Sequence, residues 1–154
     1  MNPAGAAALV LAALAVPTAS AAGTLVAQTE AGETVARLDV PDGGRWCVLW
    51  RHSVAGFEVA DCYRNEGGTM VLERSHLPDF AAGLDHIPGR GRQTSDGRGG
   101  YWIEDIDEPV PGNSYLLRVG GPAVDHRLAR GGTTVSLTAH AAGERVTVSL
   151  AADD

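Results

Sequence analysis

Residues 45–65 read RWCVLWRHSVAGFEVADCYRN, and this stretch decides the fold. It contains two runs rich in aromatic and β-branched residues, 45–54 and 57–65. Such residues favour strands, and a short loop at Val54-Ala55 would fold the second run back on the first. The stretch therefore predicts an antiparallel β-hairpin.

One register of this hairpin pairs two opposite charges and two cysteines at once. It places Arg51 opposite Glu58 and Cys47 opposite Cys62 on one face. A slip by one residue would break the charge pair and mix the two faces, so the register is strongly specified. The other face carries the larger apolar set and is predicted to point to the core. Its members are Trp46, Val48, Trp50, His52, Val54, Phe57, Val59, Asp61 and Tyr63.

The first residues, 1–21, have the pattern of a cleavable signal peptide. Residues 4–16 are an apolar run, and Ala19-Ser20-Ala21 fits the small-x-small rule of a cleavage site. The run is shorter than the about 20 apolar residues of a spanning helix. We therefore expect a secreted or periplasmic protein with no stable membrane span after cleavage. An uncleaved anchor and a misassigned start codon are the alternatives.

An exported chain with two cysteines most simply oxidises them to each other. We predict the cross-strand disulfide Cys47–Cys62. It closes a loop of about fifteen residues, which is worth up to roughly 3 kcal/mol, and less where paired strands already constrain the loop. Two free thiols or an intermolecular bond are the alternatives.

After a flexible lead-in at 22–33, residues 34–151 predict a single all-β domain. The 20 glycines and 8 prolines separate about nine short segments with strand patterning. Such a series is typical of a small antiparallel β-sandwich or a partly open barrel. The expected strands are 34–40, 45–54, 57–65, 69–76, 101–106, 114–119, 123–130, 133–139 and 145–151.

Charge narrows the range of partners. The formal net charge is −7, lysine is absent and no basic cluster occurs, so nucleic-acid binding and lysine chemistry are not expected. The irregular segment 77–100 carries Arg90, Arg92 and Arg98. Arginine suits carboxylates, so this segment is a candidate anion-binding loop, with solvated loop charges as the alternative.

Three short motifs, in this order and spacing, resemble a small exported bacterial family, the domain of unknown function 1850. The resemblance covers roughly residues 35–137. The motifs are Trp50-Arg51-His52-Ser53-Val54 with Val59-Ala60-Asp61-Cys62-Tyr63-Arg64, Asp79-Phe80-Ala81-Ala82-Gly83-Leu84, and Leu116-Leu117-Arg118-Val119-Gly120 with Asp125-His126-Arg127-Leu128. The chain departs from the family where Ala55 and Phe57 replace Glu and Thr, Asp61 replaces Glu, and Asp85 replaces Pro.

Genes of this family tend to lie beside tripartite ATP-independent periplasmic (TRAP) transporters of the TAXI type. The resemblance thus implies a non-enzymatic accessory of solute uptake. Its partner would be the transporter's receptor, its membrane subunit or a small organic acid. A secreted hydrolase or metal-dependent enzyme is the first alternative, and a structural envelope module is the second.

Adjacent residues on a strand point to opposite faces, so neither His52 and Ser53 nor Ser75 and His76 can act as base and nucleophile together. A metal site from His52, His76 or His86 with Asp79 or Asp85 is not expected, because no metal-ligand spacing occurs. We expect neither cofactor nor metal.

The polar residues His52 and Asp61 fall on the predicted core face, where an unpaired charge is costly. They are either a satisfied core pair or the anchors of a small-ligand pocket. The candidate ligand-binding residues are His52, Asp61, Ala82, Gly83 and Arg118.

Overall fold

The structure is a computed structural model that describes residues 23–78 and 88–152. The motif that contains Ala82 and Gly83 lies outside the described residues, as does the predicted signal peptide.

The described residues form twelve strands, one short α-helix and one 3₁₀ turn. Nine of the strands correspond to the nine expected from the sequence, and β1, β6 and β8 are additional. The elements are β1 (Gly23–Thr29), β2 (Thr34–Asp39), β3 (Arg45–Arg51), β4 (Glu58–Glu66), β5 (Thr69–Pro78), β6 (Arg92–Ser95), β7 (Gly100–Glu104), β8 (Glu108–Pro109), the 3₁₀ turn (Pro111–Asn113), β9 (Ser114–Arg118), β10 (Arg127–Arg130), β11 (Thr133–Ser136), α1 (Thr138–Ala141) and β12 (Arg145–Ala152).

All strand pairs are antiparallel, and they build two sheets. The small sheet has the order β2-β1-β12-β9, and the large sheet has the order β11-β10-β3-β4-β5-β7-β6, with β8 paired to β5. Neither sheet closes on itself within residues 23–78 and 88–152, so of the two expected forms the fold is a sandwich and not a barrel.

One hydrophobic core lies between the sheets. Side chains of the small sheet, such as Leu25 and Val148, pack in the same cluster as Trp46 and Leu128 of the large sheet. Successive side chains of β3, such as Trp46, Cys47 and Val48, alternate between this core and the outside, as period-two patterning requires. The core therefore fixes which face of β3, β4 and β5 remains outside.

The first strand corrects the expectation of a flexible lead-in at 22–33. Residues 23–29 form β1, which pairs with both β2 and β12 and lies inside the small sheet. Leu25 and Ala27 are fully buried there. The segment has little strand signal of its own, and its order comes from partners distant in sequence.

The central hairpin has the predicted register. Cys47 lies opposite Cys62 and Arg51 opposite Glu58 across β3 and β4. The expected ion pair is not formed among the described residues, because Glu58 binds Arg127 at 2.7 Å and Arg51 lies 3.8 Å from Asp125. The disulfide Cys47–Cys62 is formed, and it joins residues 15 positions apart.

The last expected hairpin is also present, but its second strand is shorter than 133–139. β10 and β11 are joined at Arg130 and Thr133, across a two-residue turn. The chain then leaves the sheet, because the Ser136 hydroxyl accepts the N–H of Ala139 at 3.1 Å and α1 begins. Among the described residues, no helix is long and apolar enough to cross a membrane.

Candidate functional site

The loop between β3 and β4 is wider than predicted. Residues 52–57 form it, because both strands are shorter than the sequence indicated. The alternation stops where the strand stops, so two residues expected in the core lie elsewhere. Val54 is 89% exposed, and Phe57 packs on the outer face with its ring 5.1 Å from that of His76.

His52 closes this loop. Its backbone N–H donates to the carbonyl of Phe57 at 2.8 Å. Its ring Nδ1 accepts the N–H groups of Val54 and Ala55 at 3.4 and 3.3 Å. The imidazole thus stabilises the conformation of the turn by accepting hydrogen bonds from its backbone.

Asp61 points to the interior, on the side of its cross-strand neighbour Val48. The hydroxyl of Ser75 donates to its Oδ1 at 2.6 Å. Burial raises the pKa of this carboxyl, while the Ser75 hydrogen bond and the charge of Arg90 oppose the rise. Because Val48 is four positions before His52, Asp61 and His52 are separated by about 13 Å along the strand, at the usual rise per residue.

The remaining predicted ligand-binding residues lie apart from these two. Arg118 is exposed at the end of β9 in the small sheet, where it pairs with Arg145. Ala82 and Gly83 are outside the described residues. The described members, His52, Asp61 and Arg118, are therefore not gathered in one place, and their ligand-binding role stays a prediction.

Asp61→Asn is expected to stabilise the protein at neutral and alkaline pH. Asp61 has a raised pKa in the folded state, so the folded chain holds its proton more tightly than the unfolded chain. Stability contributed by the protonated form is lost as the pH rises from the unfolded value of 3.8 through the raised folded pKa. Asparagine removes this loss and still accepts the Ser75 hydrogen bond.

Urea unfolding from pH 4 to pH 8 measures this effect, with the exposed Asp39→Asn as the matched control. The Asp61→Asn curve should be flatter than wild type across this range. A variant less stable than wild type at pH 8 would contradict the assignment.

A concave cleft lies on the outer face of the large sheet. The strand register builds it from two rows of outward side chains that cross β3, β4, β5 and β7. One row is Leu49, Ala60, His76 and Trp102, and the other is Cys47, Cys62 and Arg74. Its volume is about 550 Å³. The floor is low because Ala60 and the disulfide are short, whereas the surrounding aromatic side chains are tall.

Aromatic rings form one wall of the cleft. The His76 ring lies between Phe57, at 5.1 Å, and Trp102, at 4.6 Å. The guanidinium of Arg74 lies over the Trp102 ring, with its Cζ 4.5 Å from the ring centre, as in a cation–π contact. The stack orients both the histidine and the arginine.

His76 and Asp96 form a hydrogen-bonded pair at the rim. His76 Nε2 and Asp96 Oδ2 are 2.8 Å apart. The other carboxylate oxygen accepts the N–H groups of Arg98 and Gly100 at 2.7 and 2.9 Å. These backbone hydrogen bonds, led by that from Arg98 and joined by the one from His76, lower the pKa of Asp96. An ionised Asp96 is an acceptor only, so it fixes the proton on Nε2.

Gly100 allows this close approach. A methyl group at this position would lie 2.6 Å from Asp96 Oδ2, 2.6 Å from the Phe57 ring and 2.8 Å from the Leu77 carbonyl. A side chain here would therefore push apart two walls of the cleft.

The acids that line the cleft are paired, whereas its arginines form no salt bridge within the described ranges. Glu58 accepts a hydrogen bond from Arg127 at 2.7 Å, and Asp96 is held as described above. Arg74 and Arg98 also line the cleft, and neither forms a salt bridge with a residue in the described ranges. The cleft thus offers positive charge to a ligand.

The three arginines of the predicted anion-binding loop divide into two kinds. Arg90 and Arg92 form salt bridges with Glu108 and Glu104, both at 2.8 Å. Arg98 alone of the three reaches the cleft. No group of three or more His, Cys, Asp or Glu side chains in the described part of the chain is arranged to hold a metal ion.

One family model matches residues 47–137, which is more than half of the chain. The chain belongs to the DUF1850 family. The family is described as a domain of unknown function. No curated protein and no solved structure matches the chain.

The DUF1850 match begins at Cys47 in β3 and ends at Leu137, just after β11. It therefore includes nearly all of the large sheet and every residue that lines the cleft. The strands β1, β2 and β12 of the small sheet lie outside the match.

Sequence reasoning missed most of the cleft in this DUF1850 domain. His76, Asp96 and Trp102 come together only when β5, β7 and β6 pair. The available signal was the turn at Gly97, Arg98 and Gly99, which stands directly before the predicted strand at 101–106. A hairpin predicted there would have placed Asp96 beside Gly100, but its contact with His76 also needs the pairing of β5 with β7.

Proposed function

We propose that this DUF1850 protein is a non-enzymatic, extracytoplasmic binding protein that serves as an accessory to a TAXI-type TRAP solute uptake system. The cleft on the outer face of the large sheet is the observation that carries the binding role. It is open to solvent, about 550 Å³ in volume, and combines an apolar floor with a few polar groups at the rim. Small-molecule sites typically have this size and composition.

The disulfide supports an extracytoplasmic location. Cys47 and Cys62 are bonded to each other, and structural disulfides persist mainly in oxidising compartments. The signal-peptide pattern of residues 1–21 points to the same location.

The link to solute uptake rests on the gene association of the family. It makes the uptake receptor or the membrane subunit the expected protein partner, and it is an associational argument, because fold alone does not fix function.

A hydrolytic enzyme is the second candidate, and the His76–Asp96 pair favours it. A histidine whose Nε2–H is held by a carboxylate keeps Nδ1 as a base, as general base catalysis requires. Hydrolysis of an activated ester that disappears in His76→Gln would favour the enzyme over the accessory.

Affinity purification tests the accessory role. The full chain, tagged at its carboxyl end, is produced in a bacterium that carries a TAXI-type system, cross-linked and purified. We expect the uptake receptor or membrane subunit to be identified by mass spectrometry in the cross-linked product. A strain that makes the tagged chain without the transporter subunits is the control.

Two outcomes would overturn the proposal. One is a chain that purifies alone although the transporter is present and active. The other is a deletion strain whose uptake through that transporter equals wild type while its envelope is damaged, which would favour a structural envelope module.

A further inference from the structure

The rim charges determine the sign of the ligand. Glu58 is paired with Arg127, and Asp96 is paired with His76 and with backbone N–H groups. The guanidinium groups of Arg74 and Arg98 form no salt bridge within the described residues. A ligand that enters the cleft thus meets two guanidinium groups that form no salt bridge within the described residues, which favours an anion.

The geometry of Arg74 favours a carboxylate. Its guanidinium is held over the Trp102 ring, which fixes the plane of its fork of N–H donors. Such a fork matches the two oxygens of a carboxylate, and charge-assisted pairs of this type are roughly twice as strong as neutral ones.

The floor of the cleft determines the polarity of the part of the ligand that does not contact the arginines. It consists of the side chains of Leu49 and Ala60 and the disulfide Cys47–Cys62. These groups offer no hydrogen bonds to a sugar or to the further oxygens of a phosphate, whereas an apolar body gains free energy by covering them. The adjoining Trp102 ring adds a flat surface.

We propose that the cleft binds a small organic acid with one carboxylate and an apolar body, with the carboxylate on Arg74 and Arg98 and the body on the disulfide, Ala60 and Trp102. This inference rests on the binding role proposed above and adds the chemical class of the ligand. It also moves the ligand site from the predicted set around His52 and Asp61 to the outer face.

The test compares matched probes on the intact chain. Hexanoate and benzoate are titrated against the purified protein by calorimetry, with hexanamide, benzamide and inorganic phosphate as comparisons. The carboxylates should bind about tenfold or more tightly than their amides, because the amide loses a charge-assisted pair. Phosphate should bind more weakly than either carboxylate.

Variants then locate the site. Arg74→Gln and Arg98→Gln should each weaken hexanoate by about tenfold and leave hexanamide unchanged. Arg37→Gln, exposed on β2 of the small sheet, is the matched control and should bind as wild type does. Ala60→Leu fills the floor and should weaken acid and amide alike.

The outcomes separate this inference from the proposed function. Equal binding of acid and amide, lost in Ala60→Leu, overturns the ligand class and leaves the binding role. Loss of binding in Arg37→Gln and not in Arg74→Gln overturns the site. No binding of any probe overturns the ligand class, and the cross-linking experiment alone then decides the accessory role. Each arginine variant is exposed, and an unchanged urea midpoint confirms that it is folded.

Discussion

Trp46→Ala is expected to lower the free energy of unfolding by about 3–5 kcal/mol. Trp46 is 1% exposed, and its ring stacks on that of Tyr63 at 5.6 Å, between the two sheets. The substitution removes apolar contact on both sides and leaves a cavity that rigid strands cannot fill. Since domains of this size are stable by about 5–15 kcal/mol, the loss is a large fraction of the total.

Urea unfolding followed by circular dichroism measures this loss. Trp50→Ala is the matched control, because Trp50 is on the same strand and the same face but is only half-buried against His126. The loss in the free energy of unfolding should be clearly smaller for Trp50→Ala than for Trp46→Ala. Equal costs for the two variants would show that the core is not centred on Trp46.

Removal of the disulfide is expected to cost about 2–3 kcal/mol, chiefly because the unfolded chain regains the freedom of the closed loop. The cysteines are 15 positions apart, and the chain-entropy model gives a loop of this length about 3 kcal/mol at most. Cys47→Ala combined with Cys62→Ala should lower the urea midpoint with little change in the hairpin's circular dichroism.

Reduction of the wild-type chain provides the control, because it opens the same bond without changing a residue. The reduced chain and the double variant should unfold at nearly the same urea concentration. An oxidised and a reduced chain with the same midpoint would contradict the stabilising role. The double variant also lowers the cleft floor, so its hexanoate affinity should fall with it.

The central hairpin was predictable from sequence because several local requirements agree on one register. These requirements are the placement of Arg51 opposite Glu58, the placement of Cys47 opposite Cys62, and the segregation of apolar side chains to one face. All three fail together if the strand slips by one residue. The loop was not predictable in the same way. The ring of His52 accepts hydrogen bonds from the backbone N–H groups of the loop, and β3 ends before it. Phe57 therefore lies outside the strand pattern and points to the outer face.

The parts that sequence missed depend on partners far along the chain. Residues 23–29 show only a weak alternation of polar and apolar side chains. They form a buried strand because they pair with β2 on one side and β12 on the other. The cleft likewise needs the pairing of β5 with β7 and of β7 with β6, through which His76, Trp102 and Asp96 meet. Single-strand periodicity carries no information on such neighbours, so it indicates Asp61 and His52 and not the residues of the cleft.

The pairing of β1 with β12 also determines the order in which the two sheets of the nascent chain can form. Leu25 leaves the ribosome among the first residues described, whereas its neighbour Leu150 is among the last to be made. The strands of the large sheet are therefore all made before β12, and the small sheet is complete only once β12 is present. Until then the edge of β1 that pairs with β12 has unpaired backbone N–H and C=O groups. A chaperone or a truncated copy of the chain would bind at that edge.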